Sequence, residues 1–288
     1  MKTSTRHLAN CSREVLRRNF RREALKLFDS HAHYYDEWFG DEADTVLKEE
    51  VFGKNVARVV NVGTNNKNNL ICIESTRKYE GMYAAVGIHP EDVRYIDGAP
   101  EGEIALLEKI ILDEKQRDDC KIVAIGEIGY DFHYEGYDKD KQERYFEFQM
   151  QLAQRLSMPV VIHDREAHGP CFDMVLKYPN VKGIFHSYSG SAEMSRELVK
   201  RGWYISFSGV LTFKNAARVR EVAASVPLDR ILIETDAPYL APHPFRGKRN
   251  HSGLMEYTAI SLAEVKGITP DEAAEITYNN ACTIFGIE

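Results

Sequence analysis

The chain has 288 residues, of which 43% are hydrophobic and 28% charged, and its 37 basic and 44 acidic residues give a formal net charge of −7. This is the composition of an ordinary globular protein, and it excludes wholesale disorder, collagen-like repeats and long coiled coils. The acidic balance also excludes a protein that coats nucleic acid through a generally basic surface, while leaving room for a local positive site.

The charge is unevenly distributed along the chain. Residues 1–27 carry eight basic and two acidic side chains, a local charge of +6, which leaves −13 for the other 261 residues. The apolar spacing within 12–27 is compatible with a short basic helix. We expect residues 1–25 to be a basic extension, helical or flexible. Its possible roles are a solvated tail or start-site artefact, a nucleic-acid contact, or a membrane or partner contact.

The sequence carries no signal for export or membrane insertion. No apolar run approaches ~18 residues, so no transmembrane helix is predicted. The basic extension lacks the apolar stretch of a secretory signal peptide. The five cysteines form no C-x-x-C pair, which is typical of reduced thiols in a cytosolic protein. We therefore expect a cytoplasmic protein without a membrane partner. No feature predicts an oligomeric state.

From residue 26 onward, eight short β-rich segments alternate with segments of helical periodicity. The predicted strands are 26–31, 56–62, 82–88, 121–127, 158–163, 181–186, 203–208 and 230–235. The clearest helical spacings are at 139–157, 191–201, 215–225 and 270–285. Several strands are nearly continuous apolar runs, as strands buried on both faces should be. The pattern predicts an α/β protein with a single (β/α)8 TIM-type barrel rather than an open doubly wound sheet.

Length alone would suggest two domains at about 150 residues each. No low-complexity linker divides the chain, however, so we expect residues 26–288 to form one barrel domain. The chain has no G-x-G-x-x-G or G-x-x-x-x-G-K-[ST] motif, and we therefore expect no nucleotide cofactor.

Metal-binding side chains stand at the carboxyl ends of five predicted strands. The first strand ends in His31 and His33, which share a face because alternate strand residues point the same way. The ends of four later strands carry the other candidates, Glu127, His163, His186 and Asp236. A barrel brings these ends to one rim, where barrel enzymes place their chemistry.

Four imidazoles and two carboxylates exceed the needs of one tetrahedral zinc ion that keeps an open position. They suit two divalent ions that share a bridging carboxylate, and the mixed nitrogen and oxygen set leaves Mg²⁺, Mn²⁺ and Zn²⁺ open. Asp29 either orients the histidine strand or makes a local turn or backbone hydrogen bond. His89, which follows the third strand, either reaches the substrate or shapes its loop.

Seven motifs lie at the predicted strand ends or shortly after them. They are DSHAH (29–33), VGIHPE (86–91), GEIGYDF (126–132), IHDREA (162–167), HSYSG (186–190), ETDAPYL (234–240) and RGKRN (246–250). In order and spacing over about 27–288, the set resembles the TatD-type metal-dependent deoxyribonucleases of the amidohydrolase-like barrel superfamily. The basic extension lies outside this resemblance.

The resemblance implies the role of each ligand. One ion would be surrounded by His31, His33, Glu127 and Asp236, and the second by Glu127, His163 and His186. Glu127 would bridge the two ions. Asp236 would also hold the nucleophilic water and take its proton, which makes Asp236 and Glu127 the catalytic candidates.

The family resemblance also implies a DNA substrate, which we expect to be single-stranded DNA or 3′ ends bound through the phosphodiester backbone. The candidates for holding phosphate are then Arg165, Arg246, Lys248 and Arg249. For 246–249 the alternative is a solvated basic loop. We predict a 3′–5′ exodeoxyribonuclease with a two-metal-activated water. The alternatives are a binuclear hydrolase of a small amide, ester or lactone, and a non-catalytic nucleic-acid-binding protein.

Overall fold

The computed structural model describes residues 26–288, so the basic extension predicted for 1–25 lies outside the described residues. Eight parallel strands form one sheet in which each strand pairs with the next along the chain. They are β1 (Leu27–Ala32), β2 (Val56–Val62), β3 (Met82–Val86), β4 (Ile122–Asp131), β5 (Val160–Arg165), β6 (Gly183–Phe185), β7 (Tyr204–Phe207) and β8 (Ile231–Ile233).

Helices connect the strands in regular alternation. A short α1 (Ala43–Thr45) continues into a π-helical turn, Val46–Val51, before β2. The next six connections contain α2 (Asn66–Lys78), α3 (Pro100–Lys115), α4 (Lys139–Leu156), α5 (His168–Lys177), α6 (Ala192–Lys200) and α7 (Ala217–Ser225). After β8 come α8 (Met255–Lys266) and α9 (Pro270–Phe285). The predicted (β/α)8 barrel is thereby confirmed.

All eight predicted strands overlap observed ones, and the largest difference is at β4. We expected this strand to end at 127, but it continues to Asp131 and is buried along its whole length. Its extension pairs with β5, where Gly129 lies opposite His163. Gly129 has a φ of +146°, and a Cβ there would lie 2.0 Å from the carbonyl oxygen of His163. Glycine therefore allows β4 to approach β5 this closely.

The barrel closes where the chain leaves β8 and meets the end of β1. The backbone N–H of Asp236 donates to the carbonyl of His31 at 2.9 Å, and that of His33 donates to the carbonyl of Ala237 at 2.7 Å. A single parallel bridge joins Ala32 to Ala237. This seam brings the first and last predicted ligand motifs side by side.

Two groups of buried apolar side chains form the core. The larger one lies between the strands and the surrounding helices. The smaller one takes residues from every strand together with Ala281 and Phe285 of α9, so it fills the barrel interior. Phe28 contacts the rings of Tyr83, Tyr278 and Phe285 at centroid distances of 5.8–6.2 Å. The amino-terminal end of the barrel is thus packed with aromatic rings, which leaves the carboxyl end for chemistry.

Within residues 26–288, no helix has the length and apolar character needed to cross a membrane. The four cysteines in this part of the chain, Cys72, Cys120, Cys171 and Cys282, are free.

Candidate metal centre

The six predicted ligands lie together at the carboxyl end of the barrel. Glu127 lies at their centre and is 2% exposed. Its Oε1 is 2.6 Å from His163 Nδ1 and 2.7 Å from His186 Nε2. Its Oε2 is 3.3 Å from His31 Nε2 and 3.6 Å from His33 Nε2. The four predicted ligand imidazoles therefore face this one carboxylate, two on each oxygen.

Asp236 completes one side of this cluster. Its Oδ1 lies 3.4 Å from His33 Nε2 and 3.8 Å from His31 Nε2. With a φ of +56°, its backbone is in the left-handed region, which asparagine and aspartate tolerate better than most residues. This conformation, at the residue that closes the barrel seam, brings the carboxylate beside the two histidines of β1.

Three of the imidazoles have an acceptor behind them that fixes their orientation. His33 Nδ1 lies 2.7 Å from the carbonyl oxygen of Val62. His163 Nε2 lies 3.0 Å from Asp131 Oδ2, and His186 Nδ1 lies 3.2 Å from Glu234 Oε1. A carbonyl or carboxylate oxygen only accepts, so each of these outer nitrogens carries the proton. The inward nitrogen of the neutral ring is then a bare lone pair.

This pattern of protonation tests whether the residues fit a metal. Lone pairs of His163 and His186 that face Glu127 at less than 3 Å repel the carboxylate, unless the rings are protonated or a cation lies between them. Neutral imidazoles with a carboxylate behind them and a shared carboxylate in front are a typical donor set for Zn²⁺ and similar divalent ions. Groups that could hold such an ion include His31, His33 and Glu127. The donor set therefore fits divalent metal.

His89 differs from the other imidazoles in its hydrogen bonding. Its Nε2 lies 3.6 Å from Glu127 Oε1, close enough to belong to a second possible metal group with Glu127 and His163. However, its Nδ1 accepts a hydrogen bond from the backbone N–H of Glu91 at 3.1 Å. The proton of neutral His89 is then on the inward Nε2, so this ring presents a donor rather than a lone pair. The bond to Glu91 shows that His89 shapes its own loop, and contact with a substrate oxygen through Nε2–H stays a prediction.

Without metal, the cluster is held together by charge. Burial raises the pKa of Glu127, but the surrounding imidazoles, with His186 foremost, bring it well below its usual value. Burial lowers the pKa of His163, and Glu127 and Asp131 more than offset this and raise it to about 9. Burial lowers the pKa of His31, and His186 lowers it further. Protons and metal ions therefore compete for the same nitrogens.

Asp29 lies beneath the cluster and joins the two edges of the seam. Its Oδ1 accepts from the backbone N–H of His31 at 3.2 Å and of Thr235 at 3.0 Å, and its Oδ2 accepts from the Thr235 hydroxyl at 2.5 Å. Burial raises the pKa of Asp29 to about 7, although hydrogen bonds from Ser252 and Thr235 oppose the change. Asp29 thus positions the backbone of the ligand segments and does not bond an imidazole.

A cavity of about 910 Å³ opens above the cluster. Of the five residues predicted to bind substrate, His89 and Arg165 line it. The three cations of the basic loop lie elsewhere: Arg246 is over the ring of Phe213, Lys248 over Phe245 and Arg249 over Phe39, at 4.6, 5.9 and 5.3 Å. A substrate role for these three stays a prediction.

Sequence reasoning assigned no role to Asp131 or Glu234, although both lie in motifs that it singled out. The signal that could have found them is their position beside a predicted ligand: Asp131 is four residues after Glu127, and Glu234 is two residues before Asp236. Glu234 Oε1 also accepts from the backbone N–H of Ser187 at 2.8 Å, which fixes it behind His186.

A parallel barrel with a histidine and carboxylate cluster at its carboxyl rim defines a metal-dependent hydrolase. Comparison with known proteins makes the assignment specific. The family model for TatD related DNase matches residues 28–286, and the chain belongs to this family.

Relatives with similar sequences and folds cover nearly the whole barrel. The uncharacterized metal-dependent hydrolase YabD of Bacillus subtilis is 40% identical over 264 residues, which is 91% of this chain and 99% of that protein. The uncharacterized metal-dependent hydrolase TatD of Mycobacterium tuberculosis is 33% identical, over 91% and 98%. The crystal structure of YjjV, a TatD homolog from Escherichia coli, superposes with a TM-score of 0.83 at 26% identity, over 91% and 98% of the two chains.

Proposed function

We propose that this chain hydrolyses phosphodiester bonds of DNA, as a 3′–5′ exodeoxyribonuclease that uses two divalent ions. The observation that carries the proposal is Glu127, whose two oxygens each face a different pair of the four predicted ligand imidazoles. This is the arrangement expected of a carboxylate that bridges two ions. The name of the matching family, TatD related DNase, supports DNA as the substrate.

The residues divide into two ligand sets that share Glu127. His31, His33 and Asp236 would hold one ion, and His163 and His186 the other. When bound, Mg²⁺, Mn²⁺ or Zn²⁺ supplies a Lewis acid that activates water and neutralises charge on phosphoryl oxygens. Asp131 and Glu234 keep His163 and His186 in the tautomer that turns a lone pair inward.

Asp236 is the candidate proton acceptor. Burial raises the pKa of Asp236, but the His33 hydrogen bond and the positive charge of the neighbouring imidazoles more than offset this, so the pKa lies below its usual value. The carboxylate is therefore ionised near neutral pH, and its side chain is 16% exposed toward the cavity. Asp236 Oδ1 can accept the proton of an attacking water, while the Nε2–H of His89 can donate to a phosphoryl oxygen.

The charge of the cavity explains why metal would be required for binding as well as for chemistry. Its lining contains seven carboxylates against one lysine and one arginine, Lys67 and Arg165, apart from the imidazoles that face Glu127. A polyanion meets net repulsion there unless divalent ions add positive charge. Arg165 lies 4.0 Å from Asp131 and is 42% exposed, so it can contact a phosphate beside the cluster.

The test uses single-stranded DNA labelled at its 5′ end, incubated with the protein and Mg²⁺, Mn²⁺ or Zn²⁺. We expect chelator-sensitive products that shorten from the 3′ end, and none with Glu127→Gln or Asp236→Asn. A matched control is Asp119→Asn, which removes a carboxylate on the surface. If no metal supports cleavage, the proposal is wrong. Turnover of esters or lactones without turnover of DNA would instead favour a hydrolase of small carbonyl substrates.

Salt dependence tests which cations contact DNA. Each phosphate contact to a single strand contributes roughly −0.7 to the slope of log K against log salt. We expect Arg165→Ala to reduce the slope by about this amount. If the basic loop also holds phosphates, Arg246→Ala reduces it equally; an unchanged slope would make 246–249 a solvated loop.

We also propose a cytoplasmic location. The four cysteines described by the structure are free, and free thiols are typical of reducing compartments.

A further inference from the structure

Three exposed aromatic side chains surround the mouth of the cavity. Trp38 is 48% exposed, Tyr239 45% and Tyr134 42%. Tyr239 and Tyr134 line the cavity, and the ring of Trp38 lies beside that of Tyr239 with their centroids 6.2 Å apart. Large exposed aromatic rings beside a cavity are typical of binding surfaces, because their apolar area remains uncovered in the free protein.

Trp38 and Tyr239 are held in place by a shared carboxylate. Asp36 accepts from the backbone N–H of Trp38 at 2.8 Å and from the hydroxyl of Tyr239 at 2.5 Å. Arg249 donates to the carbonyl of Trp38 at 2.9 Å and pairs with Glu42. The loop after β1 is thus tied to the loops after β8. The backbone of Trp38 and the hydroxyl of Tyr239 are therefore held before any ligand binds, which reduces the entropic cost of stacking on their rings.

Tyr134 belongs to the opposite side of the mouth, after β4. The guanidinium of Arg165 lies over its ring at 4.9 Å and donates to its hydroxyl at 3.1 Å. Tyr134 and Tyr239 line the same cavity. An aromatic ring is therefore available on each side of the metal cluster.

The walls between these rings are poor in positive charge. Asp36, Glu37, Glu91 and Asp92 line the cavity, whereas the described residues of its lining include only one lysine, Lys67, and one arginine, Arg165, outside the imidazole cluster. A strand held mainly through phosphates would need several more cations along its path. Stacking on aromatic rings supplies affinity without charge and tolerates any base.

We propose that Trp38 and Tyr239 on one side and Tyr134 on the other form a clamp that stacks unpaired bases next to the phosphate being cut. The inference rests on the proposed function and narrows its substrate to single-stranded nucleic acid. Bases in a duplex already stack on their neighbours, so a duplex can use the clamp only after its end has frayed.

The first experiment measures kcat and KM for an oligothymidylate and for the same oligonucleotide with abasic sites at its last two positions. We expect Trp38→Ala to raise KM for the normal strand about tenfold, with kcat nearly unchanged, and Trp38→Phe to restore it. On the abasic strand, Trp38→Ala should have little effect, because there is no base to stack. The matched control is Tyr95→Ala, since Tyr95 is 77% exposed and does not line the cavity.

The second experiment follows binding without turnover. The chain has two tryptophans, and Trp203 is buried at 1% exposure, so Trp38 is the one that a ligand can reach. A 3′-phosphorothioate oligothymidylate should quench the fluorescence of the metal-loaded protein, and Trp38→Phe should abolish the quenching while the strand still binds in an anisotropy assay.

The outcomes separate the clamp from the hydrolase function. If the protein cleaves single strands but Trp38→Ala costs as much on the abasic strand as on the normal one, the clamp is refuted and the nuclease stands. Binding of the strand without quenching also refutes the clamp. If no phosphodiester is cleaved but quenching and its loss in Trp38→Phe are observed, the clamp stands and the proposed chemistry fails.

Discussion

Asp131→Asn tests whether the carboxylate behind His163 tunes metal binding. Asp131 Oδ2 lies 3.0 Å from His163 Nε2, and its Oδ1 accepts from the backbone N–H of His133 at 2.9 Å. An amide has one oxygen and one NH₂ group, so the side chain introduced by Asp131→Asn can satisfy only one of these two donors. If the NH₂ faces His163, two donors oppose each other, and if it faces His133, that N–H is left without an acceptor.

The magnitude follows from the bond that is lost. Burial raises the pKa of Asp131, but hydrogen bonding and charge from His163 outweigh this and hold it below the usual value, so the carboxylate is ionised. A hydrogen bond to a charged group contributes about 1.5–3 kcal/mol. Partners of this kind change metal affinity by roughly 10–100-fold, which corresponds to about 1.4–2.8 kcal/mol. We therefore expect the dissociation constant of the ion that His163 and His186 would hold to rise by about this factor.

The assay is a competition titration against a chromophoric chelator, with Zn²⁺ and with Mn²⁺. Asp119→Asn is the control, because it makes the same chemical change on the surface, where Asp119 pairs with Arg117. At saturating metal, kcat of Asp131→Asn should return to within a few fold of the unsubstituted protein. Dissociation constants that stay within about threefold of the original would show that His163 does not depend on Asp131 for its orientation.

The remaining predictions concern stability. In the metal-free protein the pKa of His163 is about 9, above that of the unfolded chain, so the stability it contributes is complete below pH 6.5 and is lost as the pH rises through 9. With metal bound, the melting temperature should instead rise from pH 6 to 8, because protons leave the imidazoles that bind the ions. Scanning calorimetry with chelator and with metal tests this. The same pH dependence of the melting temperature in both conditions would contradict it. Gly129→Ala should lower the unfolding free energy by about 2–4 kcal/mol, because its Cβ meets the His163 carbonyl. In urea unfolding, Gly102→Ala should be neutral or slightly stabilising, since that site has open space. Thr269→Ala should cost about 1 kcal/mol, because it removes the capping box of α9; no change in the urea midpoint would count against this cap.

The strands and the ligand cluster could be predicted because both follow from short-range pattern. Apolar runs marked the strands, and parallel strands must end at one rim, which placed His31, Glu127 and His163 together before any distance was known. The same logic did not give α2, in which buried Asn66 and Asn69 interrupt the apolar stripe. These asparagines are buried because they bond Glu103 and the backbone of Gly87, which are contacts that a local pattern does not contain.

The orientation of long side chains could not be predicted from the sequence for a related reason. The basic loop looked like a phosphate-binding element, yet Arg249 extends to Trp38 and Glu42, and Arg246 to Phe213. Flexible side chains choose among partners brought close by the whole fold. A count of charges along the chain therefore cannot separate a cation that contacts a ligand from one that braces a neighbouring loop.

The seam between β1 and β8 determines where we expect the barrel to unfold first. Few backbone bonds close the ring there, and one of the two proposed ligand sets spans it, with His31 and His33 on one edge and Asp236 on the other. A bound ion would cross-link the end of β1 to the segment that follows β8. Amide exchange after chelation should accelerate first at residues 31–33 and 235–237, while β4 and β5 keep their protection. Because of this cross-link, the resistance of the protein to proteolysis should increase with the concentration of available metal.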